Sequence, residues 1–518
     1  MTAPTSAARP IALDASLRPS APARAPGSLR ILLVSTYELG HQPLGLAAPA
    51  AALRRAGHAV RTLDLAVESP ERERFADVDL VAISVPMHTA ARVGIDLATR
   101  LRARGLPLRI AFYGLYASPL HARLTRDGLA DAVIGGEYEP GLVAYAAQVA
   151  TDATESRRTD ESAAPGAPRG TLTGVGAEPA FARQDYPVPD RRGLPPLDAY
   201  ARLADGAARR LVGYVEATRG CAHRCTHCPL TPVYGGRLRL VSPETVLADI
   251  GQLVAAGAEH ITFGDPDFLN AAPHALAIAE ASHARHPGVT FDATIKVEHL
   301  LEHADLLPRL RALGCLFVTS AFESTNDATL AILEKGHTRA DMERALALAD
   351  AAGITVRPTW VAHMPWTTPA DFLDMLAFIE QRGLVAHVQP VQYAIRLLLP
   401  PGSPLIDRLE CEGRLGPFDD ETLTYTWTAS DPRLDALQRE LATIVESAAC
   451  GDCHDAEPPL ATFRRVKAAA YRHLLDDERS VDVASQPRAE VPGLTEAWFC
   501  CAEPTEAQLA PLDRALGI

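Results

Sequence analysis

The first part of the chain alternates short apolar runs with amphipathic segments. Five runs predict strands buried on both faces, at residues 29–35, 59–65, 78–85, 108–112 and 132–134. Helical spacing predicts helices at residues 49–56, 91–103 and 142–149. Buried strands that alternate with helices are typical of a doubly wound parallel sheet, which binds ligands at the carboxyl ends of its strands. The fold class is therefore α/β from the start of the chain.

The alternation resumes further along the chain. Strands are predicted at residues 211–218, 260–264, 289–295, 316–321, 354–361 and 386–393. Ser242-Pro243 and Thr368-Pro369 are start signals for two of the intervening helices, because each pairs an N-cap residue with proline at the first helical position. Six βα repeats predict a partial (βα)6 barrel, six strands instead of eight.

Composition and pattern together define the domain boundaries. We predict a disordered leader at residues 1–28, the doubly wound domain at 29–150, a polar linker at 151–185, the partial barrel at 186–405 and a mostly helical extension at 406–518. The leader lacks an uninterrupted apolar stretch and does not resemble a signal peptide. A chain of 518 residues fits two or three domains.

Charge and cysteine content limit the partners and the cellular compartment that we expect for the protein. The formal net charge of −14 is spread along the chain, which argues against a nucleic acid or an anionic membrane as the main partner. No apolar run approaches the ~20 residues that span a bilayer. Nine cysteines, three of them clustered, indicate metal or redox chemistry in a chain without an export signal. We expect a reduced, cytoplasmic protein.

Cys221, Cys225 and Cys228 directly follow the first predicted barrel strand, at the face where barrel active sites lie. Their spacing lets one loop bind three corners of an iron–sulfur cubane, and soft thiolates suit that iron. Three ligands leave one iron open to a substrate or cofactor. The alternative is a zinc site completed by His223 or His227, because zinc accepts mixed ligands.

Charged residues also gather at the ends of the predicted barrel strands. They are Asp265, Asp267, Lys296, Glu323 and Arg357. Such residues can bind a cofactor, or they can form salt bridges that close the barrel mouth. The sequence alone leaves both interpretations open.

The C-terminal extension carries two further cysteine pairs, Cys450 with Cys453 and Cys500 with Cys501. Together they could supply four thiolates to an auxiliary cluster or to zinc. Either pair could instead work as a redox dithiol. Chance pairing at the surface is the third interpretation.

From residue 29 to about residue 405, the chain resembles the radical S-adenosylmethionine superfamily, in particular members with an N-terminal cobalamin-binding-type domain. The resemblance rests on the cysteine loop and its βα setting. It implies a 4Fe–4S cluster that cleaves S-adenosylmethionine to methionine and a 5′-deoxyadenosyl radical. It further implies that Gly264 and Asp265 contact the methionine moiety, and Glu323 the ribose or methionine. Arg357 is a further candidate.

The loop Tyr37-Glu-Leu-Gly-His41-Gln-Pro-Leu-Gly45 is similar to the Asp-x-His-x-x-Gly loop that supplies a cobalamin ligand. The aspartate is absent, and the glycine stands four residues after His41 instead of three. The resemblance therefore implies three alternatives: cobalamin with His41 as lower axial ligand, cobalamin without a histidine ligand, or no cobalamin.

The ending Cys500-Cys501-Ala-Glu-Pro504 looks like a subgroup with a CCAEP or CUAEP tail, in some members of which the second position is selenocysteine. That implies a catalytic role for Cys500 and Cys501. We therefore expect a radical enzyme acting on a small molecule or peptide, with a reductant such as flavodoxin or ferredoxin. The alternatives are a cobalamin-dependent methylase and a non-catalytic metal-binding or redox protein.

Overall fold

The computed structural model describes residues 27–70, 72–159, 185–449, 457–477, 483, 491–496, 502 and 508. No helix in these parts of the chain is long and apolar enough to cross a membrane. Cys450, Cys453, Cys500 and Cys501 lie outside the described residues, as does the predicted leader up to residue 26.

The N-terminal domain is a five-stranded, fully parallel sheet with the strand order β2-β1-β3-β4-β5. Its strands are β1 (Arg30–Ser35), β2 (Ala59–Asp64), β3 (Leu80–Ser84), β4 (Arg109–Tyr113) and β5 (Ala132–Ile134). Its helices are α1 (Leu44–Arg55), α2 (His88–Ala103), α3 (His121–Arg126) and α4 (Tyr138–Thr159). A separate apolar core covers each face of the sheet. All five predicted strands are confirmed.

Helix α4 extends beyond its predicted end. It continues to Thr159, so the first nine residues of the segment predicted as a linker are helical. Residues 160–184 are outside the described part of the chain.

The second sheet has seven strands in the order β13-β12-β11-β10-β7-β6-β16. The strands of this region are β6 (Arg202–Asp205), β7 (Ala208–Val215), β8 (Thr218–Gly220), β9 (Leu238–Leu240), β10 (His260–Phe263), β11 (Thr290–Thr294), β12 (Cys315–Glu323) and β13 (Thr355–Trp360), with β16 (Gly493–Leu494) near the C-terminus. Strands β7, β10, β11, β12 and β13 are parallel to one another. At one edge of the sheet, β6 pairs antiparallel with β7, and β16 pairs antiparallel with β6. Strands β8 and β9 form a separate small ladder.

Helices cover the outside of this curled sheet. They are α5 (Leu230–Tyr234), α6 (Pro243–Ala255), α7 (Ala272–Arg285), α8 (Val297–Glu302), α9 (Leu307–Ala312), α10 (Asp327–Ile332), α11 (Arg339–Ala351) and α12 (Pro369–Gln381). Both predicted start signals are confirmed: Ser242 caps α6, and Thr368 forms a capping box with Asp371 at α12. These caps satisfy backbone N–H groups that have no partner within the helix.

The barrel strands alternate between two kinds of side chain. In β13, Val356, Pro358 and Trp360 are buried, and Val356 and Trp360 belong to the core under the helices. Thr355, Arg357 and Thr359, which face the other way, are partly exposed. Since successive side chains point to opposite faces, Thr355, Arg357 and Thr359 lie on the inner face of the barrel. On the neighbouring strands this face is buried, with His260, Asp292 and Phe317 at most 4% exposed.

The predicted sixth barrel strand at residues 386–393 is wrong. Its last part, Pro390–Tyr393, is a 3-10 helix, and the chain pairs with its neighbour only through an isolated bridge between His363 and Arg396. Proline has no N–H to donate to a ladder. Five parallel strands are present, and the antiparallel strands β6 and β16 occupy the opposite edge of the sheet.

The C-terminal region contacts both domains. It contains α13 (Leu405–Cys411), the hairpin β14 (Leu415–Asp419) and β15 (Thr424–Trp427), and the long helices α14 (Pro432–Ala448) and α15 (Pro459–Leu475). Leu423 of the hairpin joins an apolar core of the N-terminal domain. His88, at the start of α2, bonds through Nε2 to the Thr422 carbonyl at 2.7 Å. The hairpin therefore packs against the carboxyl edge of the N-terminal sheet.

Candidate active site

The cysteine loop begins where β8 ends, at the carboxyl edge of the barrel. Gly220 has a φ of 71°, and a Cβ there would overlap the Arg237 carbonyl and the Tyr234 ring. Only glycine combines this backbone conformation with such close packing. It directs the chain into the loop that carries the three cysteines.

The three loop thiols form no disulfide. Cys225 is buried, and Cys221 and Cys228 are partly buried. Burial, together with negative charge at Cys225 and Cys221, raises the pKa of Cys228 to about 12. These thiols lie close enough to repel one another as thiolates. A bound metal centre would offset the repulsion between these thiolates, because metal binding favours the deprotonated form of a cysteine ligand. The donor set therefore fits an iron–sulfur cluster.

Asn270 supports the first cysteine. Its Nδ2 lies 3.4 Å from Cys221 Sγ, and its Oδ1 accepts a hydrogen bond from Ala222 N at 3.3 Å. A hydrogen bond from an amide N–H to a cluster sulfur is one of the factors that set the reduction potential of iron–sulfur centres. Sequence reasoning missed Asn270, although it follows the second parallel barrel strand by only seven residues.

Glu323 is the centre of a buried ion cluster next to the loop. Its Oε1 accepts hydrogen bonds from Lys335 Nζ at 3.2 Å and His227 Nε2 at 3.1 Å. Burial alone would raise the pKa of Glu323, but the charge of Lys335 and the bond from His227 lower it to about 2. Glu323 also has a φ of 64°, which is strained for a residue with a Cβ.

Lys335 links this cluster to the cysteines. Burial alone would lower its pKa, but the charges of Glu323, Cys225 and Cys228 raise it. A fixed cation here compensates the negative charge of thiolates and favours a reduced cluster. His227 is bonded to Glu323, so its Nε2 is already engaged and does not complete a zinc site through that atom.

Gly264 and Asp265 lie at the carboxyl end of β10. Asp265 accepts hydrogen bonds from Ala217 N at 3.0 Å and Thr218 Oγ1 at 2.5 Å, so its carboxylate holds the strand that leads into the cysteine loop. Burial raises the pKa of Asp265 to about 7. Gly264 packs against Tyr214, whose ring fills the space that a Cβ would need.

Arg357 lies on the inner face of the barrel and is partly exposed. Its Nη1 donates to the Pro492 carbonyl at 3.3 Å, and Gly493 of β16 packs against the guanidinium. Burial lowers its pKa to about 10, opposed by the charge of Asp292. The tail before β16 thus reaches the opposite edge strand of the sheet, and Arg357 bridges the opening of the half-barrel.

The two domains meet around a buried arginine. Arg219 Nη1 lies 2.7 Å from Glu139 Oε1 and 3.3 Å from Glu137 Oε2, and its Nε lies 3.1 Å from Glu216 Oε2. Arg219 precedes Gly220 and the cysteine loop, whereas Glu137 and Glu139 follow β5. The late loop of the N-terminal domain is therefore tied directly to the base of the cysteine loop.

His41 is buried between the domains. Its ring lies 4.7 Å from that of Tyr214, centroid to centroid. The His41 ring therefore packs directly against the first parallel barrel strand. Ligation of cobalamin by His41 stays a prediction. Burial lowers the pKa of His41 to about 4, so the ring is neutral.

The carboxyl edge of the N-terminal sheet also carries unsatisfied polar atoms. Glu38 Oε1 and Ser118 Oγ are buried and have no hydrogen-bond partner among the described residues. Such atoms call for a ligand or water. They lie at the edge where a doubly wound sheet binds its ligand, so this edge fits a bound group such as cobalamin.

Two family descriptions match the chain at these two domains. The radical SAM superfamily matches residues 215–379, and the B12 binding domain matches residues 30–146. The first range contains the cysteine loop and Glu323. The second covers the five-stranded parallel sheet.

Curated relatives match over part of their length. The chain is 28% identical to hopanoid C-3 methylase of Methylococcus capsulatus over 343 residues, which is 65% of this chain and 64% of the relative. It is 24% identical to hopanoid C-2 methylase of Rhodopseudomonas palustris over 42% of this chain and 41% of the relative. The chain thus aligns with less than two thirds of either methylase.

Two solved structures share the fold. OxsB, described as a cobalamin-dependent S-adenosylmethionine radical enzyme, has a TM-score of 0.61 at 15% identity, covering 86% of this chain and 72% of its own. TsrM from Kitasatospora setae, a radical S-adenosylmethionine methyltransferase, has a TM-score of 0.56 at 20% identity, covering 80% and 89%. At these identities the likeness establishes the fold alone.

The fold and the three-cysteine loop define a radical SAM enzyme. The chain carries a radical SAM domain and an N-terminal B12-binding domain. The family implies a 4Fe–4S cluster, S-adenosylmethionine, a reductant and a substrate.

Proposed function

We propose that this chain cleaves S-adenosylmethionine reductively and applies the resulting radical to a polar substrate inside the half-barrel. The observation that carries the proposal is the position of three free thiols in one loop at the carboxyl edge of the barrel, beside the buried Glu323 and Lys335 pair. A 4Fe–4S cluster on Cys221, Cys225 and Cys228 would supply one electron that splits S-adenosylmethionine into methionine and a 5′-deoxyadenosyl radical. Flavodoxin or ferredoxin in the cytoplasm is the proposed electron source.

The residues around the loop have distinct proposed roles. Asp265 and Asn270 position the loop through their bonds to Thr218 and Cys221. Glu323 and Lys335 form a charged pair beside the thiols that can orient the polar end of S-adenosylmethionine. Gly264 is proposed to contact the methionine moiety through its backbone, because Tyr214 fills the space that a side chain would occupy.

The inner face of the barrel supports a polar substrate. His260 bonds through Nε2 to Asp292 at 2.9 Å, and Thr262 Oγ1 donates to the same carboxylate at 2.7 Å. Arg357 is the cation of this face. The charge of Asp292 acts on it, but no ion pair to a carboxylate is found for it among the described residues. A buried cation without a direct ion pair is costly, so we propose that it binds an anionic group of the substrate.

Metal analysis and spectroscopy test the proposal. Anaerobic reconstitution with iron and sulfide should load about four irons per chain at the triad. The electron paramagnetic resonance signal of the reduced cluster should shift when S-adenosylmethionine is added. Preferential binding of zinc, or a signal insensitive to S-adenosylmethionine, would contradict it.

Cobalamin-dependent methyl transfer is the second candidate, favoured by the B12-binding domain. The unsatisfied Glu38 and Ser118 atoms at its ligand edge support it. The test is corrinoid content after expression with cobalamin, followed by transfer of a deuterated methyl group from S-adenosylmethionine. No corrinoid and no labelled product would reject this candidate and leave the first intact.

We further propose that Cys500 and Cys501 supply a thiolate to the substrate reaction, as the CCAEP tail suggests. Ala502, the next residue, is buried, and its carbonyl accepts a hydrogen bond from Thr89 Oγ1 at 2.8 Å. Thr89 lies at the start of α2, on the ligand-binding edge of the B12-binding domain. Cys450 and Cys453 are proposed as auxiliary thiols.

A further inference from the structure

A second cluster of potential metal ligands lies beside the cysteine loop. It consists of His223 from the loop itself, Asp267 from the segment after β10 and His299 from α8. Their ligand atoms all lie within 4.8 Å of one another. Asp267 Oδ2 is 2.7 Å from His299 Nδ1 and 3.6 Å from His223 Nε2.

The three ligand atoms are enclosed by protein. Asp267 is 1% exposed, and His223 Nε2, Asp267 Oδ2 and His299 Nδ1 are buried atoms without a well-aligned hydrogen bond in the described chain. His299 Nδ1 and Asp267 Oδ2 are therefore close, but their geometry is not that of a hydrogen bond. Buried polar atoms are normally satisfied, so these three atoms are short of a partner.

A cation is the partner that this donor set favours. Two imidazoles and one carboxylate are ligands of zinc and of non-haem iron(II). Zinc–nitrogen and zinc–oxygen bonds are about 2.0–2.2 Å long, so the ligand atoms of a tetrahedral site lie roughly 3.4 Å apart. The observed separations, from 2.7 Å to at most 4.8 Å, lie on both sides of that value, so small side-chain rotations would bring the three atoms around one ion.

We propose that His223, Asp267 and His299 bind a divalent cation of the zinc or iron(II) type, separate from the cysteine ligands. His223 stands between Cys221 and Cys225, and Asp267 begins the segment that brings Asn270 to Cys221. The cation would therefore fasten the cysteine loop to the β10 and α8 segments. The proposal does not depend on the reaction that the chain catalyses.

Cobalt(II) is the probe for this site, because it substitutes for zinc and reports its ligands optically. The full-length chain with Cys221, Cys225 and Cys228 all changed to Ala removes the cluster ligands. In that background, one equivalent of cobalt(II) should bind with nitrogen and oxygen ligands by X-ray absorption. His299→Gln should weaken binding at least ~10-fold, as loss of a metal-supporting residue typically does.

His303→Gln is the matched control, a nearby histidine whose ring lies 5.6 Å from that of His299. It should leave cobalt affinity unchanged. Asp267→Asn is the second site variant, and circular dichroism checks that each variant is folded. Equal affinity of the parent and the folded His299→Gln variant would overturn the proposal, as would sulfur ligands on the bound cobalt.

Discussion

His41 of the B12-binding domain packs against Tyr214 of the first parallel barrel strand, with ring centroids 4.7 Å apart. Tyr214 in turn occupies the space beside Gly264, at the end of the neighbouring strand. The loop that would carry a cobalamin ligand is thus in direct contact with the barrel end that would hold S-adenosylmethionine. This contact places His41 in the domain interface.

We predict that His41→Ala leaves corrinoid content unchanged. The electron paramagnetic resonance spectrum of any bound cob(II)alamin should show no nitrogen splitting in either protein. The lost ring contact should lower the free energy of unfolding by about 1–3 kcal/mol, seen as a lower urea midpoint. Nitrogen splitting that disappears in His41→Ala would show instead that His41 is the ligand.

Arg357 should control substrate affinity. Arg357→Met should raise the substrate KM about 10–100-fold, since a hydrogen bond to a charged group contributes about 1.5–3 kcal/mol. Formation of 5′-deoxyadenosine without substrate should change little, and Arg357→Lys should restore part of the affinity. If substrate-free cleavage falls as much as turnover, Arg357 binds S-adenosylmethionine instead.

Glu323 should make the free energy of unfolding depend on pH. Its folded pKa of about 2 lies below the ordinary value of 4.5, so its stabilising contribution is present above pH 4.5 and is lost as the pH falls towards 2. The shift corresponds to roughly 3 kcal/mol. In urea unfolding of the metal-free protein, Glu323→Gln should be less stable than the parent at pH 6, by a margin that narrows towards pH 3. A margin independent of pH would contradict this.

Cys501→Ala should separate cleavage from turnover. The variant should form 5′-deoxyadenosine at the parental rate but yield no finished product, because Cys501 is proposed to act on substrate. Cys411→Ala, a change at an exposed free cysteine, is the control and should retain both. Normal product from Cys501→Ala would remove the tail from the reaction.

Much of the fold follows from local sequence. The unbroken apolar runs of β1 and β3 and the caps at Ser242 and Thr368 specify their elements within a few residues. The predicted sixth strand failed because apolar content around Pro390 outweighed the missing N–H. Strands β6 and β16 were missed because they are short and their pairing joins residues nearly 300 positions apart.

The candidate site was predictable where one segment carries it, as with the cysteine triad. His223, Asp267 and His299 were missed as a group because they belong to three segments that meet only in the folded chain. A signal was present, since all three follow barrel strands and so share the carboxyl edge. Lys335 gave no such signal, because it follows α10 and reaches Glu323 through the turn after that helix.

The central claim is that the triad generates the radical. The most direct test is 5′-deoxyadenosine formed per chain by reconstituted protein with S-adenosylmethionine and a low-potential reductant, compared among the parent, Cys225→Ala and Cys411→Ala. We predict product from the parent and Cys411→Ala and none from Cys225→Ala. The absence of 5′-deoxyadenosine from an iron-loaded parent, or an equal yield from Cys225→Ala, would contradict the account.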